Sequence, residues 1–216
     1  MKRNLLVVSF IVLLFNLGFS QSKIRLGIEG GPNYSSYRGF YGSGNFDPRI
    51  SFTAGITSEF RLNHQLYLKT GLSFERKRAT NGAYYYNLNP NSPFDPGIRI
   101  AAYIQADYVV CPVMAKYEFT KNDSFYMAFG GFMAFTLKSD FFTDDNYNSS
   151  NVFKSPDIGL CIGVGKSFDF GLHNKIYIEI RDNLGVVNIN KSYHFNNGKV
   201  NTNSFNLICG YSFDFK

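Results

Sequence analysis

The stretch that decides the fold reads Asp157-Ile158-Gly159-Leu160-Cys161-Ile162-Gly163-Val164-Gly165. Branched apolar residues take every second position, with glycine, aspartate and cysteine between them, which is the two-residue period of a β-strand. In a soluble sandwich, a row of glycines facing water would weaken the strand to no obvious purpose. In a small closed barrel, by contrast, branched side chains can face lipid while glycines make room in a crowded interior. The stretch therefore favours a transmembrane β-strand.

The same alternation recurs along the whole chain. The pattern predicts strands over about 24–35, 50–62, 66–77, 103–119, 125–137, 157–168, 175–184 and 204–215. Their lengths of roughly ten to twelve residues suit tilted membrane strands. The connections alternate long and short, and the longest runs from Arg78 to Ala102. The expected fold is all-β: a single antiparallel up-and-down transmembrane β-barrel of about eight strands, with short periplasmic turns and long extracellular loops. Pro112 in the fourth strand predicts a local bulge.

The N-terminus is typical of a secretory signal peptide. A basic start is followed by an apolar run from Leu5 to Phe15 and by the small residues Gly18 and Ser20. A membrane anchor is the alternative, but the run is shorter than the ~20 residues that a spanning helix needs. We expect residues 1–20 to be removed and residues 21–216 to form the barrel domain. The predicted location is the outer membrane of a Gram-negative bacterium, with both termini periplasmic.

Charge and cysteine content exclude several classes of function. The chain carries 22 Lys and Arg against 16 Asp and Glu without a dense basic tract, so no nucleic acid partner is expected. The three cysteines, Cys111, Cys161 and Cys209, are odd in number and lie inside predicted strands, which disfavours a disulfide framework. The sequence contains no phosphate loop, metal-ligand cluster or nucleophile elbow, so we expect no cofactor.

In the predicted strands, the charged side chains lie on the same face as the glycines. Since each charge on a lipid face would cost several kcal/mol, this segregation supports a membrane barrel. An eight-stranded interior is just wide enough to be filled by side chains, so the sequence predicts a paired polar network and no open channel. The predicted network consists of Arg25, Glu29, Glu59, Arg61, Lys69, Glu75, Lys77, Lys116, Asp157, Glu179, Arg181 and Asp214. A soluble lipocalin-like barrel, with its apolar parity inside, is the alternative.

Aromatic residues form two groups. Those near the strand ends, such as Phe74 and Tyr117, suit the girdle of a membrane barrel. The others lie in predicted loops, where they either pack on one another above the rim or form a contact surface. The candidates for such a surface are Tyr84, Tyr85, Tyr86, Phe141, Phe142, Tyr193 and Phe195.

Catalysis has little support in the sequence. His64 and His173 fall in predicted short turns, and His194 lies in a loop beside Ser192. A His/Ser pair is similar to the pair used by outer-membrane lipid hydrolases, but no orienting acid stands at a recognisable spacing. We therefore predict that the protein is not an enzyme.

Four segments resemble one protein family when they are taken in order. They are Gly27 to Tyr34, Tyr108 to Phe119 with its internal Pro112, Asp157 to Gly165, and Arg181 to Ile189. Together they look like the PorT-like outer-membrane β-barrel proteins of Bacteroidota, and the resemblance covers nearly the whole chain after residue 20. It implies an outer-membrane barrel, in a family of diverse functions. Barrels of this kind usually end on an aromatic residue, whereas here Lys216 follows Phe215.

These observations predict an integral outer-membrane β-barrel protein with a polar, largely plugged lumen. We expect it to act as a structural or surface-binding protein through its extracellular loops. The expected partners are outer-membrane lipid, the assembly machinery during insertion, and an extracellular protein or glycan. The alternatives are a narrow porin-like channel, a secretion accessory barrel, a lipocalin-like ligand-binding barrel and an outer-membrane lipid hydrolase.

Overall fold

The fold consists of β-strands joined by turns and irregular connections. The computed structural model describes residues 24–39, 46–86, 98–119, 124–144, 148–171, 173–191 and 198–215, so the predicted signal peptide lies outside the described residues. The strands are β1 Ile24–Arg38, β2 Phe46–Arg61, β3 Leu66–Tyr86, β4 Ile98–Glu118, β5 Ser124–Thr143, β6 Asn148–Ser150, β7 Asp157–Asp169, β8 Asn174–Gly185 and β9 Asn201–Phe215. None of the described residues belongs to a helix long and apolar enough to cross a membrane.

The eight long strands close into a ring. Their order is β4-β3-β2-β1-β9-β8-β7-β5, and β4 also pairs with β5, which completes the circle. Every pairing is antiparallel, and the three-residue β6 pairs with residues 140–142 of β5. The predicted fold, a single antiparallel barrel of about eight strands, is confirmed.

Side chains alternate between the inside and the outside of the ring. On β7, the side chains of Ile158, Leu160, Ile162 and Val164 are 37 to 49% exposed, whereas Asp157 and Cys161 are fully buried. Large exposed apolar residues lie on all eight long strands and form an outer belt. The lipocalin-like alternative is excluded, because that fold requires the apolar parity to face inward. All three cysteines are free.

Three strands extend much further than the sequence pattern predicts. β3 continues to Tyr86, β4 begins at Ile98 and β5 continues to Thr143. The predicted loop from Arg78 to Ala102 is therefore wrong over its two ends, and Phe141 and Phe142 also lie in a strand. The reason is physical: beyond the membrane the outer face no longer needs to be apolar, whereas Ala102, Ile104 and Ala106 on the inner face of β4 are buried. The alternation therefore has the opposite sense there while backbone pairing continues.

The predicted bulge at Pro112 is also wrong. Pro112 lies opposite Phe132 in a continuous register, and the shift between β4 and β5 falls at Asp107 and Tyr108 instead. The carbonyl of Pro112 accepts a hydrogen bond from Thr70 Oγ1 at 2.8 Å. A proline removes only one ladder donor, and the register on either side of it is held by its neighbours.

Candidate functional site

Charged side chains fill the interior in three layers. The lower layer is centred on Arg25, whose Nε donates to Asp214 Oδ1 at 2.8 Å and whose Nη1 donates to Glu59 Oε2 at 3.3 Å. Lys116 Nζ lies 2.9 Å from Glu59 Oε1 and 3.3 Å from Glu118 Oε1. These residues come from β1, β2, β4 and β9, so the layer ties opposite parts of the wall together.

The middle layer is a closed set of two bases and two acids. Arg181 donates from Nη1 and Nη2 to Glu29 at 2.8 and 3.1 Å, and from Nε to Glu179 Oε1 at 2.5 Å. Lys69 Nζ lies 2.6 Å from Glu179 Oε2 and 3.3 Å from Glu29 Oε2. Lys69 is 1% exposed and Glu179 is fully buried. Each charged group therefore contacts two groups of opposite charge. Removing one of them would leave buried charges uncompensated and would lower the free energy of unfolding by about 3 to 5 kcal/mol.

Two tyrosines complete this layer, and glycines make room for them. The hydroxyls of Tyr126 and Tyr177 each donate to a middle-layer carboxylate at 2.7 Å. A Cβ atom added to Gly165 would come within 2.5 Å of the Tyr126 ring, and one added to Gly210 would overlap the Tyr177 ring. The glycines of the inner face thus occupy the positions over which the large interior rings lie.

The upper layer has one base and two acids. Lys77 Nζ donates to Thr202 Oγ1 at 3.0 Å and to Asp157 Oδ2 at 3.5 Å, and lies 3.8 Å from Glu75 Oε1. Thr202 Oγ1 also donates to Asp157 Oδ2 at 2.6 Å, and Asn183 Nδ2 donates to Glu75 Oε2 at 3.2 Å. Aspartate at position 157, the first residue of the stretch that decides the fold, is thus held by both a cation and a hydroxyl.

Above the charged layers, an apolar mouth plug closes the barrel, formed by residues 152–154, 189–191 and Val200. Val152, Phe153, Ile189 and Val200 are buried. The plug segments pair with each other, because Lys154 N donates to Ile189 O at 2.7 Å and Lys191 N donates to Val152 O at 3.1 Å. These connections were expected to be free loops, but they fold into the mouth. The only sequence signal for them is isolated apolar residues within polar segments.

Arg61 does not join the interior network. Its Nε donates to Asn63 O at 3.0 Å and its Nη2 lies 3.3 Å from His64 Nδ1, so it binds the short turn at the lower rim. Arg61 pairs with the buried Tyr67 in the β2–β3 ladder, but its position at the strand end lets the long side chain reach the turn. The sequence reasoning also missed Glu118, because β4 carries apolar residues on both parities.

The candidates for an external surface separate into different environments. Phe141 packs against the buried apolar cluster, whereas Phe142 stacks on Tyr103 with ring centroids 5.1 Å apart. The backbone of Tyr84, Tyr85 and Tyr86 pairs with Ile100, Arg99 and Ile98 in the β3–β4 ladder. Tyr193 and Phe195 lie outside the described residues, as does His194.

No group of three or more His, Cys, Asp or Glu residues within the described ranges is placed to hold a metal ion. The arrangement that the structure does present is a set of ion pairs between strands that are far apart in sequence. Its chemical capacity is to cross-link the wall and to fill the space through which a solute would pass.

A closed antiparallel ring with an apolar outer belt and a charged, filled interior defines a transmembrane β-barrel protein. A family model described as "Outer membrane protein beta-barrel domain" matches residues 19–191, and the chain belongs to that family. The protein is therefore an outer-membrane β-barrel protein.

The chain is similar to several solved outer-membrane proteins at low sequence identity. The outer membrane protein AlkL, determined by solid-state NMR in DMPC bilayers, is 14% identical, with 92% of each chain covered and a TM-score of 0.51. Ail, the attachment invasion locus protein of Yersinia pestis, is 14% identical over 88% of this chain and 98% of its own, with a TM-score of 0.45. The outer membrane protease OmpT of Escherichia coli is 12% identical over 89% and 97%, also at 0.45. The comparison with curated protein sequences found no match.

Proposed function

We propose that this barrel is a surface-binding protein that recognises an extracellular protein or glycan through the paired ends of β3 and β4, while its interior is structural. The observation that carries the proposal is the β3–β4 ladder, which continues to the pair Tyr86 and Ile98, well beyond the outer apolar belt. We call residues 76–86 and 98–107 the arm.

The arm is built as a continuation of the barrel wall. The belt ends near Phe74, and Tyr86 lies a further twelve positions along β3, which is roughly 40 Å of strand length. At the base of the arm, Arg76 Nε and Nη2 donate to the two carboxylate oxygens of Asp107 at 2.7 and 2.9 Å. Paired backbone fixes the position of the arm, so a partner would pay little ordering entropy on binding.

The distal part of the arm is rich in tyrosine. Tyr84, Tyr85 and Tyr86 follow one another in β3 at its far end. Tyrosine is enriched at the centres of protein interfaces because it combines a large apolar ring with a hydroxyl. The interior is a poor alternative site, since a ligand there would have to break the paired charges of the middle layer. Recognition at the arm is thus the less costly arrangement.

The arm also motivates the proposed orientation. The β2–β3 connection at the opposite end of the barrel is a short turn from Leu62 to Gln65. Outer-membrane barrels have short turns on the periplasmic side and long extensions outside. We infer that both termini lie in the periplasm and that the arm and the mouth plug face the exterior.

Two finer assignments belong to the same proposal. We propose a non-enzymatic role, since His64 contacts the Arg61 guanidinium at 3.3 Å. We also propose membership of the PorT-like group, supported by the order of its four motifs along β1, β4, β7 and β8. The predicted signal peptide and contact with the assembly machinery fit an exported barrel and stay predictions.

The test is direct binding by refolded protein to an array of glycans and a panel of purified extracellular proteins. We expect the wild type to bind at least one of these probes. The variant Tyr84→Ser, Tyr85→Ser, Tyr86→Ser should bind that probe at least about tenfold more weakly, because truncation of interface tyrosines commonly costs more than 1 kcal/mol. Folding is verified by mobility on gels with and without heating.

A matched control is provided by the aromatic pair at the opposite rim. Tyr117 and Phe119 contact each other edge to face at 5.5 Å, so changing both to serine removes aromatic surface far from the arm. This control should keep binding. Equal loss in the two variants, or full binding by the triple variant, would contradict recognition by the arm.

A further inference from the structure

Within the described residues, the pairing of β2 with β3 is interrupted at one place, which we call the seam. Pairing runs through Pro48 and Ala79, stops, and resumes at Thr53 and Glu75, so four residues of β2 face three of β3. The outer face is therefore open at the level of residues 49–52 and 76–78. An interruption of this kind exposes backbone groups that normally pair within the ladder.

Side chains of β1 satisfy these backbone groups from inside the barrel. Asn33 Nδ2 donates to Arg76 O at 2.9 Å and to Phe52 O at 3.4 Å. Ser35 Oγ donates to Arg78 O at 3.2 Å and accepts from Arg78 N at 2.8 Å. The seam is thus sealed on its inner side, and what remains outside is a groove rather than a passage.

The groove has a volume of about 640 Å³, and its walls are partly polar and partly apolar. Its walls include Tyr34 and Ile50, which are 50% and 71% exposed, and the stacked pair Tyr103 and Phe142. Its floor reaches Ala79 and Ile104, two residues of the buried apolar cluster. Volume and lining suit an apolar chain or the face of a sugar ring.

Two arginines line the same groove. Arg49 and Arg78 are both exposed, and neither guanidinium has an ion-pair partner among the described residues. The neighbouring carboxylates are already taken, because Arg76 binds Asp107 at 2.7 Å and Lys138 binds Asp140 at 2.8 Å. Asp47 is exposed on β2 but does not line the groove. The groove therefore has an excess of positive charge next to apolar walls.

The groove lies at the upper edge of the apolar belt. Immediately below it, the guanidinium of Arg76 lies over the rings of Phe52 and Phe74, with distances of 5.8 and 5.9 Å to the ring centroids. Aromatic residues beside basic residues mark the level of lipid headgroups in membrane proteins. A molecule in the groove would thus have its polar part at the headgroup level and its apolar part against Ile50.

We propose that this groove is a binding site for lipid A of the outer leaflet, in which Arg49 and Arg78 clamp a phosphate group. A guanidinium binds phosphate through two parallel hydrogen bonds, so two of them can hold one phosphate from both sides. The sugar ring lies between Tyr34 and the Tyr103–Phe142 stack, and an acyl chain follows Ile50 into the belt. A soluble anion would bind the arginines but would leave the apolar residues of the groove exposed to water.

The site is tested by native mass spectrometry of the full mature barrel, folded in detergent micelles with purified bisphosphorylated lipid A. We expect one retained lipid per protein, and retention about tenfold weaker for Arg49→Gln with Arg78→Gln, as for the loss of charge-assisted hydrogen bonds. Arg49→Lys with Arg78→Lys, which keeps both charges, should retain more lipid than the glutamine variant. Mobility with and without heating shows that each variant is folded.

Further measurements identify the chemical group that the site binds. The control Lys154→Gln with Lys191→Gln removes two exposed charges at the mouth, away from the groove, and should bind like the wild type. Dephosphorylated lipid A should bind about tenfold more weakly, and inorganic pyrophosphate should not displace lipid A. Equal retention by the glutamine variant and the wild type would overturn the proposal, as would displacement by pyrophosphate or tighter binding of an uncharged alkane. The site rests on the proposed orientation, in which this end of the barrel faces the outer leaflet, but not on the tyrosines of the arm. Failure of the triple tyrosine variant to lose binding therefore leaves the lipid site intact.

Discussion

At the residue scale, glycine on the inner face has a steric role. Gly210 faces the Tyr177 ring, whose hydroxyl binds Glu29 at 2.7 Å in the buried middle layer. An added methyl group at this position must displace a ring that is held by hydrogen bonding. By contrast, a Cβ added to Gly131 would meet only Gly159 O, at 3.3 Å. Glycines in the same barrel thus differ in how much space they have to provide.

We predict that Gly210→Ala lowers the free energy of unfolding by about 1 to 3 kcal/mol, as is usual for overpacking of a filled core. The matched variant Gly131→Ala should change it by less than about 1 kcal/mol, because the new methyl group has one close contact, with Gly159 O, which a small shift relieves. The measurement is urea unfolding of both variants in lipid vesicles, followed by tyrosine fluorescence. Equal stability of the two variants would show that the Tyr177 ring moves without cost.

At the element scale, the connections above the barrel behave as parts of the core. Phe153 stacks on Tyr37 of β1 with ring centroids 5.0 Å apart, and it forms an isolated bridge with Asn190. Ile189 N donates to Val200 O at 2.9 Å. Three segments distant in sequence are therefore joined by backbone hydrogen bonds around one buried ring.

We predict that the amides of Lys154, Ile189 and Lys191 exchange slowly with deuterium, although they lie in connections, because their hydrogen bonds are shielded by the plug. Phe153→Ala should speed their exchange while amides of β7 near Ile162 stay protected. Phe170→Ala, which changes a 60% exposed ring at the β7–β8 turn, is the control and should leave the plug amides slow. Fast exchange in the wild type would mean that the plug does not close the mouth in solution.

At the scale of the whole molecule, the interior is blocked twice. Three layers of ion pairs span the membrane-embedded region, and the mouth plug covers their upper end. The layers link β1 to β9, β3 to β8 and β3 to β7, so they connect strands that do not all neighbour one another. The interior thus reinforces the ring that the backbone ladder closes.

We predict that the protein fractionates with outer membranes and shows at most small, infrequent channel events in planar bilayers, because ions cannot pass without breaking buried pairs. The measurement is single-channel recording of protein that migrates faster on gels before heating than after it. Protein denatured before reconstitution provides the baseline. Large and stable conductance would contradict the filled interior, and recovery from the soluble periplasmic fraction would contradict the membrane assignment.

The sequence by itself determined the parity of the strands, and with it the barrel. Lipid outside and a crowded interior impose a strict two-residue period, so Ile158 to Val164 could be assigned to the outer face from their spacing alone. The same period placed Glu29, Lys69, Glu179 and Arg181 on one inward parity. It could not say that these four residues form one closed set, because ion pairing across a barrel depends on the stagger of the strands.

Tertiary structure alone decided what lies above the membrane. There, the outer face is free of lipid and the buried residues Ala102, Ile104 and Ala106 face inward, so the apolar-outside pattern of the membrane strands does not extend into the arm. Backbone pairing between β3 and β4 holds the arm instead. The seam beside Arg49 and Arg78 likewise depends on a one-residue mismatch between β2 and β3, which is a property of two strands and of neither alone. The mouth plug also depends on tertiary structure. Val152 and Ile189 are core residues only because the closed ring has an open end that they fill.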